Sequence, residues 1–200
     1  MPSLFILAGA NGSGKTTFYF SAKLNKFIDA TVAFVNVDMI AREELGGYSS
    51  ENFESANLIY RERVGGYIDK MEDFMIESNL SKQTDFDWLE KMKQKGYELI
   101  LLLLGTSDVE INIKRVEKRV VEGGHHVPEN IVRDRYDMGM LYMRTKFHLF
   151  KEAYLIDNSN ETKLIAVIKN NQVEYAEKII PLWVSRLLYL QHVINEKKST

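Results

Sequence analysis

The stretch Leu4-Phe5-Ile6-Leu7-Ala8-Gly9-Ala10-Asn11-Gly12-Ser13-Gly14-Lys15-Thr16-Thr17 sets the reading of the whole chain. Its apolar half, Leu4 to Ala8, reads as a buried strand. Its second half matches Gly-x-x-x-x-Gly-Lys-Thr without a gap, and the match lies after a strand and before a helical pattern, where the mechanism needs it. The glycines let the backbone curl so that successive N–H groups face the oxygens of an anion. The helix expected to start here adds the positive end of its dipole. In this P-loop, Lys15 would reach the β and γ phosphates of a nucleoside triphosphate and Thr16 would offer its hydroxyl to magnesium. Gly9, Ala10, Asn11, Gly12, Ser13, Gly14, Lys15, Thr16 and Thr17 are therefore the expected nucleotide-binding residues, with ATP and Mg2+ as ligands. Lys15 is expected on an exposed loop rather than in the core.

Outward from this loop, apolar segments alternate with helical patterns: Leu4 to Ala8, Ala33 to Val37, Phe74 to Ile76, Tyr97 to Leu104 and Ala153 to Ile156. Runs this continuous suit strands covered on both faces, so the alternation predicts an α/β fold with a five-stranded, mainly parallel sheet between helical layers. Val109, Ile113, Val116 and Val120 keep helical spacing behind the caps Ser107 and Asp108, and a second helix is expected from about Pro128 to Phe150. Glu122-Gly123-Gly124-His125-His126-Val127 joins the two, and its paired glycines predict a mobile connection. The stretch from about 115 to 136 then reads as a helical lid. Leu164 to Ile168 and Gln172 to Tyr175 flank Asn170-Asn171 as a small hairpin. A closing amphipathic helix is expected after Pro181, with Lys197 to Thr200 as a frayed tail.

At 200 residues the chain can bury one substantial core and is short for two ordinary domains, so a single domain over 1–200 is expected. Hydrophobic residues make up 45%, charged residues 27%, and the net charge is -2, a globular composition. Acids slightly outnumber bases, so the charge carries no footprint for nucleic acid. There is no cysteine, which excludes disulfides, thiolate metal sites and cysteine nucleophiles and fits a reducing compartment. The run Leu4 to Ala8 has no basic flank, and Leu99 to Leu104 is far below the roughly 20 apolar residues that span a bilayer, so no membrane partner and a cytoplasmic location are expected.

Other residues narrow the kind of P-loop protein. No Asn-Lys-x-Asp segment follows a strand, as a guanine-nucleotide switch would need, and the Leu-Ser-Gly-Gly signature of a transporter ATPase is missing. Asp38, Glu77 and Asp157 each follow an apolar strand, and the carboxyl ends of parallel strands line the ligand crevice. Asp157 precedes Asn158-Ser159 and can equally be a turn or cap residue. At about 100° per residue, Arg115 and Arg119 share one flank of the apolar stripe, while Lys114 and Lys118 point away and read as solvated. Arg133 and Arg135 follow the glycines. A lid carrying such arginines can close over a γ phosphate, although each could instead form a surface ion pair with Glu117, Glu129 or Asp134. His125 and His126 do not read as a zinc site, because adjacent histidines point apart and no further ligands complete it. They are assigned to the lid or the substrate entrance.

These residues together resemble the zeta toxin family of P-loop kinases, in particular its small bacterial relatives known as predicted ABC-type ATPases. The resemblance rests on Gly9 to Thr17, on Phe34-Val35-Asn36-Val37-Asp38-Met39-Ile40-Ala41, on Glu77-Ser78-Asn79-Leu80-Ser81, and on Arg115 to Tyr136 with Gly123-Gly124-His125-His126-Val127-Pro128 inside it. It covers roughly the first 136 positions. It implies a P-loop NTPase fold of kinase type and transfer of the ATP γ-phosphate to a hydroxyl of a UDP-linked amino sugar. It also implies Asp38 as the general base, Glu77 and Ser78 at the acceptor, and Lys15, Arg119 and Arg133 on the phosphates. The sequence departs from the family in reading Glu-Ser-Asn-Leu-Ser for Glu-Thr-Thr-Leu-Ser and in its Gly-Gly-His-His lid.

A carboxylate beside the P-loop can accept the proton of an attacking hydroxyl or hold magnesium through water. Asp38 is assigned the first role, and Glu77 or Asp157 the second. The leading reading is an ATP-dependent small-molecule kinase. The alternative is a regulatory NTPase with slow hydrolysis controlled by a partner. A third reading adds a neutralising antitoxin protein to the kinase.

Overall fold

A computed structural model describes residues 1–188 of the chain. Strand β1 (Ser3–Ala8) alternates its side chains between two cores: Leu4, Ile6 and Ala8 join one face, Phe5 and Leu7 the other. An apolar strand without polar interruption is what a sheet covered on both faces requires. The same holds for β4 (Glu98–Gly105), whose Leu99, Leu101 and Leu103 face the first core and whose Leu102 and Leu104 face the second.

The sheet order is β2 (Ala33–Val35), β3 (Phe74–Ser78), β1, β4, β5 (Glu152–Asp157), β6 (Lys163–Lys169), β7 (Gln172–Ala176). The first five run parallel, as the alternation of strands and helices predicts. The expected hairpin is present, but it does not stand apart: β6 pairs antiparallel with β5 and extends the sheet to seven strands. Its turn residues Asn170 and Asn171 have φ of 49° and 62°, a left-handed conformation that asparagine tolerates. Which edge a hairpin joins is a non-local matter, and local sequence carries no signal for it.

Helices cover both faces. Among them α1 (Lys15–Tyr19) follows the P-loop, α2 (Val37–Met39) follows β2, and α3 (Ser50–Lys70) and α4 (Gln83–Gln94) flank β3. After β4 come α5 (Val109–Val121) and α6 (Glu129–Lys146), the latter continued by a 3-10 turn through Leu149. Ile113, Val116, Val127 and Val132 form a third, separate cluster that packs the α5–α6 connection onto itself. Residues 182–188 are helical and dock Trp183 against Gly105 at the end of β4, where an added Cβ would lie 2.7 Å from the indole. The rest of the expected closing helix and the tail Lys197 to Thr200 lie outside the described residues.

β1 sits between β3 and β4, so the loop leaving β1 is flanked by the loops leaving both neighbours. This is the crevice at the carboxyl ends of an open parallel sheet where ligands bind. No helix among the described residues is long and apolar enough to cross a membrane.

Candidate active site

The loop Gly9–Gly14 is held in shape by side chains that reach it from distant elements. Asn112 on α5 donates from Nδ2 to the Asn11 carbonyl at 2.8 Å, and Thr106 donates in turn to the Asn112 Oδ1. Asn158, just past β5, donates from Nδ2 to the Ser13 carbonyl at 2.8 Å. Arg135 on α6 donates to Asn11 Oδ1 at 2.7 Å. These contacts leave no room for side chains on two glycines. A Cβ on Gly12 (φ 78°) would stand 2.3 Å from the Asn112 carbonyl oxygen, and one on Gly14 (φ 96°) 2.2 Å from Asn158 Nδ2. Carbonyls turned outward in this way free the loop N–H groups to face an anion. Since α1 is only five residues long, the loop amides rather than a long helix dipole would supply the anion site.

Lys15 departs from the sequence expectation. It is 5% exposed, not a free side chain on an open loop. Its ammonium donates to the Gly9 carbonyl at 2.7 Å, to the Ala10 carbonyl at 3.3 Å and to Asn79 Oδ1 at 3.3 Å, and it lies 3.4 Å from Glu77 Oε1. A charge taken out of water needs such partners. Asn79 stands at one of the positions where the sequence departs from the zeta toxin pattern, so the departure falls on a residue that touches Lys15.

Two cavities open from this point. The first, about 530 Å3, is floored by the P-loop and walled by Arg115, Lys118, Arg119 and the Asn158–Thr162 turn. We call it the phosphate pocket. The second, about 660 Å3, lies between α3, α4, the end of β3 and the lid, and presents Phe53, Asn57, Tyr60, Arg61, Trp88, His125 and Arg135. Asn11, Asp38 and Glu77 line both. Burial pushes the Tyr60 hydroxyl up to about 12, so it faces the second cavity as a neutral donor.

The carboxylates reach the junction by different routes. The strand expected to run to Val37 stops at Val35, because Asn36 caps α2 by accepting from the Met39 N–H at 2.9 Å. Asp38 therefore sits in the first turn of a helix, not at a strand end. Glu77 is within β3 and accepts from Asn36 Nδ2 at 2.8 Å, which ties it to both Asn36 and Lys15. Ser78 lines the second cavity, and its hydroxyl accepts from the Leu80 N–H at 3.0 Å. Asp157 does not join them. Its carboxylate accepts from the Ser159 hydroxyl, the Ser159 N–H and Trp183 Nε1 at 3.0, 3.2 and 2.8 Å, and it lines neither cavity. The turn reading of Asp157 is the one the geometry supports, and of the two acids offered for magnesium only Glu77 lines the phosphate pocket.

The lid also differs from expectation. Arg119 lines the phosphate pocket, whereas Arg133 lines neither cavity. It pairs with Glu110 and Glu129, each at 2.6 Å, on an exposed face. Two residues along a helix are separated by about 200°, so when Arg135 turns to the P-loop, Arg133 must turn to solvent. The clamp assigned to Arg133 is withdrawn, and Arg135 is the arginine that α6 presents. Arg115 braces the β5 turn, donating to the Asn158 and Ser159 carbonyls at 2.8 and 3.1 Å. Lys118, read as solvated, is exposed but stands at the rim of the phosphate pocket. The stretch after α5 is not an open flap: the Gly124 N–H bonds the Arg119 carbonyl at 2.8 Å, and Arg119 Nη2 donates to the His125 carbonyl at 2.9 Å. His125 and His126 point apart, the first into the second cavity and the second into a groove against Val116 and Val120.

Asn112 and Asn158 escaped the sequence reading. Asn112 carried a signal, since it falls between Val109 and Val116 on an otherwise apolar stripe, where a buried amide requires a dedicated partner. Asn158 carried none beyond its place after a strand.

Loop, crevice and lid define a P-loop protein of kinase type. A model of the zeta toxin family matches residues 1–172, and the chain belongs to that family. It is 32% identical over 132 residues to an uncharacterized protein of Haemophilus influenzae, a match spanning 64% of this chain and 88% of that one. The AvrRxo1-ORF1:AvrRxo1-ORF2 complex, solved with sulphate ions and with ATP, superposes with TM-scores of 0.65 and 0.64 at 17% identity. Those two matches cover 94% and 98% of this chain but 64% and 63% of the other, so this chain spans less than two thirds of that neighbour. The PezAT chromosomal toxin–antitoxin system of Streptococcus pneumoniae aligns over 100% of this chain and 88% of the other, with a TM-score of 0.57 and 17% identity. At these identities the structural likeness speaks to the fold.

Proposed function

We propose that the protein is an ATP-dependent kinase that transfers the γ-phosphate to a hydroxyl of a small molecule, with Asp38 as general base. The observation that carries this reading is that Asp38 and Glu77 line both the phosphate pocket and the larger neighbouring cavity. A carboxylate at that junction stands where an acceptor hydroxyl would meet a terminal phosphate. Asp38 takes the proton as the hydroxyl oxygen bonds to phosphorus, and the bond to the bridging oxygen breaks to release ADP. The loop amides and Lys15 receive the β and γ phosphates, and Arg119 counters the charge on the transferring group. To do so, Lys15 exchanges its bonds to Gly9, Ala10 and Asn79 for phosphate oxygens.

The Thr16 hydroxyl and the Glu77 carboxylate are hard oxygen donors lining one pocket, which suits Mg2+. Magnesium held there would neutralise phosphate charge. The acceptor cavity combines the flat faces of Phe53 and Trp88 with Arg61 and Arg135, which suits an anionic molecule with a planar ring, a UDP-linked amino sugar among them. A regulatory NTPase would need no such second cavity. Family membership and the PezAT likeness support an antitoxin protein as partner, and an ATP donor agrees with a cytoplasmic reaction. Incubation with labelled ATP, magnesium and a metabolite panel including UDP-sugars tests the proposal. A labelled, acceptor-dependent product is expected, and ATP turnover that no metabolite in the panel stimulates would return the field to the regulatory reading.

A further inference from the structure

The Gly-Gly-His-His segment has a physical role that the reaction scheme above leaves unused. The His125 ring leaves the lid and sits against Phe53, which lines the acceptor cavity, and against Tyr48 beside it. Its centroid lies 4.9 Å from Phe53, edge to face, and 5.7 Å from Tyr48, tilted, while Tyr48 and Phe53 stack on each other at 5.9 Å. The main chain of the same residue holds Arg119: its carbonyl accepts from Nη2 at 2.9 Å. Gly124, one residue earlier, is pressed so closely on the Arg119 side chain that a Cβ there would meet Arg119 Cγ at 2.5 Å. Arg119 Nε is buried and has no hydrogen-bond partner among the described residues, and the bond from Nη2 to the His125 carbonyl orients the guanidinium.

We infer that His125 is a positioning residue: its ring, seated against the stacked pair Tyr48 and Phe53, fixes the main-chain carbonyl that aims Arg119 at the phosphate pocket. The ring and Phe53 line the acceptor cavity while Arg119 lines the phosphate pocket, so one residue joins the walls of the two. Whatever fills the acceptor cavity presses on the seat, and a firmer seat holds Arg119 where charge develops. By thermodynamic necessity such a link between the two sites acts in both directions. Burial holds the imidazole below its usual pKa despite the nearby Asp38, which agrees with a ring that packs rather than one that carries charge.

The inference rests on the reading of Arg119 as a phosphate clamp, and its test needs no acceptor, so it can fail while acceptor phosphorylation stands. The probes are Mg-ADP alone and Mg-ADP with aluminium fluoride, which mimics the transferring phosphoryl group. Variants are His125→Ala, Phe53→Ala, His125→Phe, Arg119→Ala and the double His125→Ala/Arg119→Ala. The expected result is that His125→Ala and Phe53→Ala bind Mg-ADP like the parent but lose about tenfold in preference for the aluminium fluoride complex. The double variant should lose no more than Arg119→Ala alone, since one residue acts through the other. His125→Phe, which keeps a ring in the seat, should restore the preference. Amide exchange across residues 119–128, measured without nucleotide, should speed up in His125→Ala and Phe53→Ala and not in His126→Ala. Additive losses in the double variant, exchange that does not respond to the seat, or an Arg119→Ala protein with the parent's preference would each overturn the inference.

Discussion

The phosphate pocket and the acceptor cavity share Asn11, Asp38 and Glu77 but are built by opposite means. The first takes its floor from one unbroken run, Gly9–Thr17, and its binding groups are mostly backbone amides held by braces such as Asn112 and Asn158. The second is walled by side chains from stretches as far apart as Asn36, Trp88 and Arg135, four of them, Phe53, Tyr60, Trp88 and His125, carrying aromatic rings with no backbone motif behind them. A contiguous site is specified by spacing along the chain and tolerates little, because the backbone path itself is the ligand. A dispersed site is specified by packing, and single side chains can change while the cavity persists.

That contrast predicts an order of sensitivity. The largest loss should follow Lys15→Ala, which removes the one cation bound within the loop. Turnover should fall at least as far as removal of an arginine finger lowers it, about 10³ to 10⁵, and ATP binding measured by calorimetry should weaken sharply. Because Lys15 is buried against Gly9, Ala10 and Glu77, the substitution also leaves Glu77 without its cation, and thermal unfolding should register a destabilisation. A Lys15→Ala protein with the parent's ATP affinity would end the P-loop assignment.

Asp38→Asn comes next. It should lower phosphoryl transfer by about 10² to 10⁴ with nucleotide affinity kept, because the amide matches the carboxylate in shape and cannot take a proton. Loss of magnesium-dependent binding instead would move Asp38 from base to metal ligand. Gly14→Ala attacks the loop without touching charge: a left-handed backbone and the contact with Asn158 should cost about 1–3 kcal/mol of strain or expel the Asn158 brace. Denaturant unfolding and nucleotide binding should weaken together, and Gly123→Ala, whose Cβ meets nothing within 4 Å, serves as the comparison for strain alone.

The arginines sharpen the contrast on the lid. Arg119→Ala should lower turnover more than ATP affinity, since a group meeting charge mainly in the transition state acts on rate. Arg133→Ala, on an exposed face, should leave turnover as it is. The smallest expected effect concerns pH. His125 has its pKa lowered in the folded protein by burial, so the unfolded chain binds the proton more readily. Its contribution to stability is complete above the ordinary value of 6.5 and declines as pH falls through that value toward the lower folded one. His125→Gln should flatten this part of the stability profile measured by thermal melts between neutral and mildly acidic pH.

The sheet was legible where each strand had to be apolar on both faces, because that demand writes itself into consecutive residues such as Leu99–Leu104. The hairpin was legible from Asn170-Asn171, but its union with β5 was not, since edge pairing depends on which strand is left open. At the site the difference is sharper. Gly12 and Gly14 announce a backbone that must turn left-handed and pass close to other atoms, whereas Arg133 and Arg135 look alike until the rotation of α6 is known. The acid after β2 shows the same limit: Asp38 was expected at the end of a strand running to Val37, yet a cap by Asn36 put it in the first turn of a helix.

By itself, then, the sequence determined the parallel α/β sheet, the glycine-rich loop after β1 and the presence of carboxylates and a glycine-containing α5–α6 connection around it. All of these follow from periodicity and from backbone conformations that few residue types can adopt. Only the tertiary structure decided that Lys15 is buried, that Asp157 belongs to a turn, that Arg135 and not Arg133 meets the loop, and that His125 ties the lid to Tyr48 and Phe53. Those outcomes depend on helix rotation and on which distant side chains compete for the same partner, and neither is encoded at any single position in the chain.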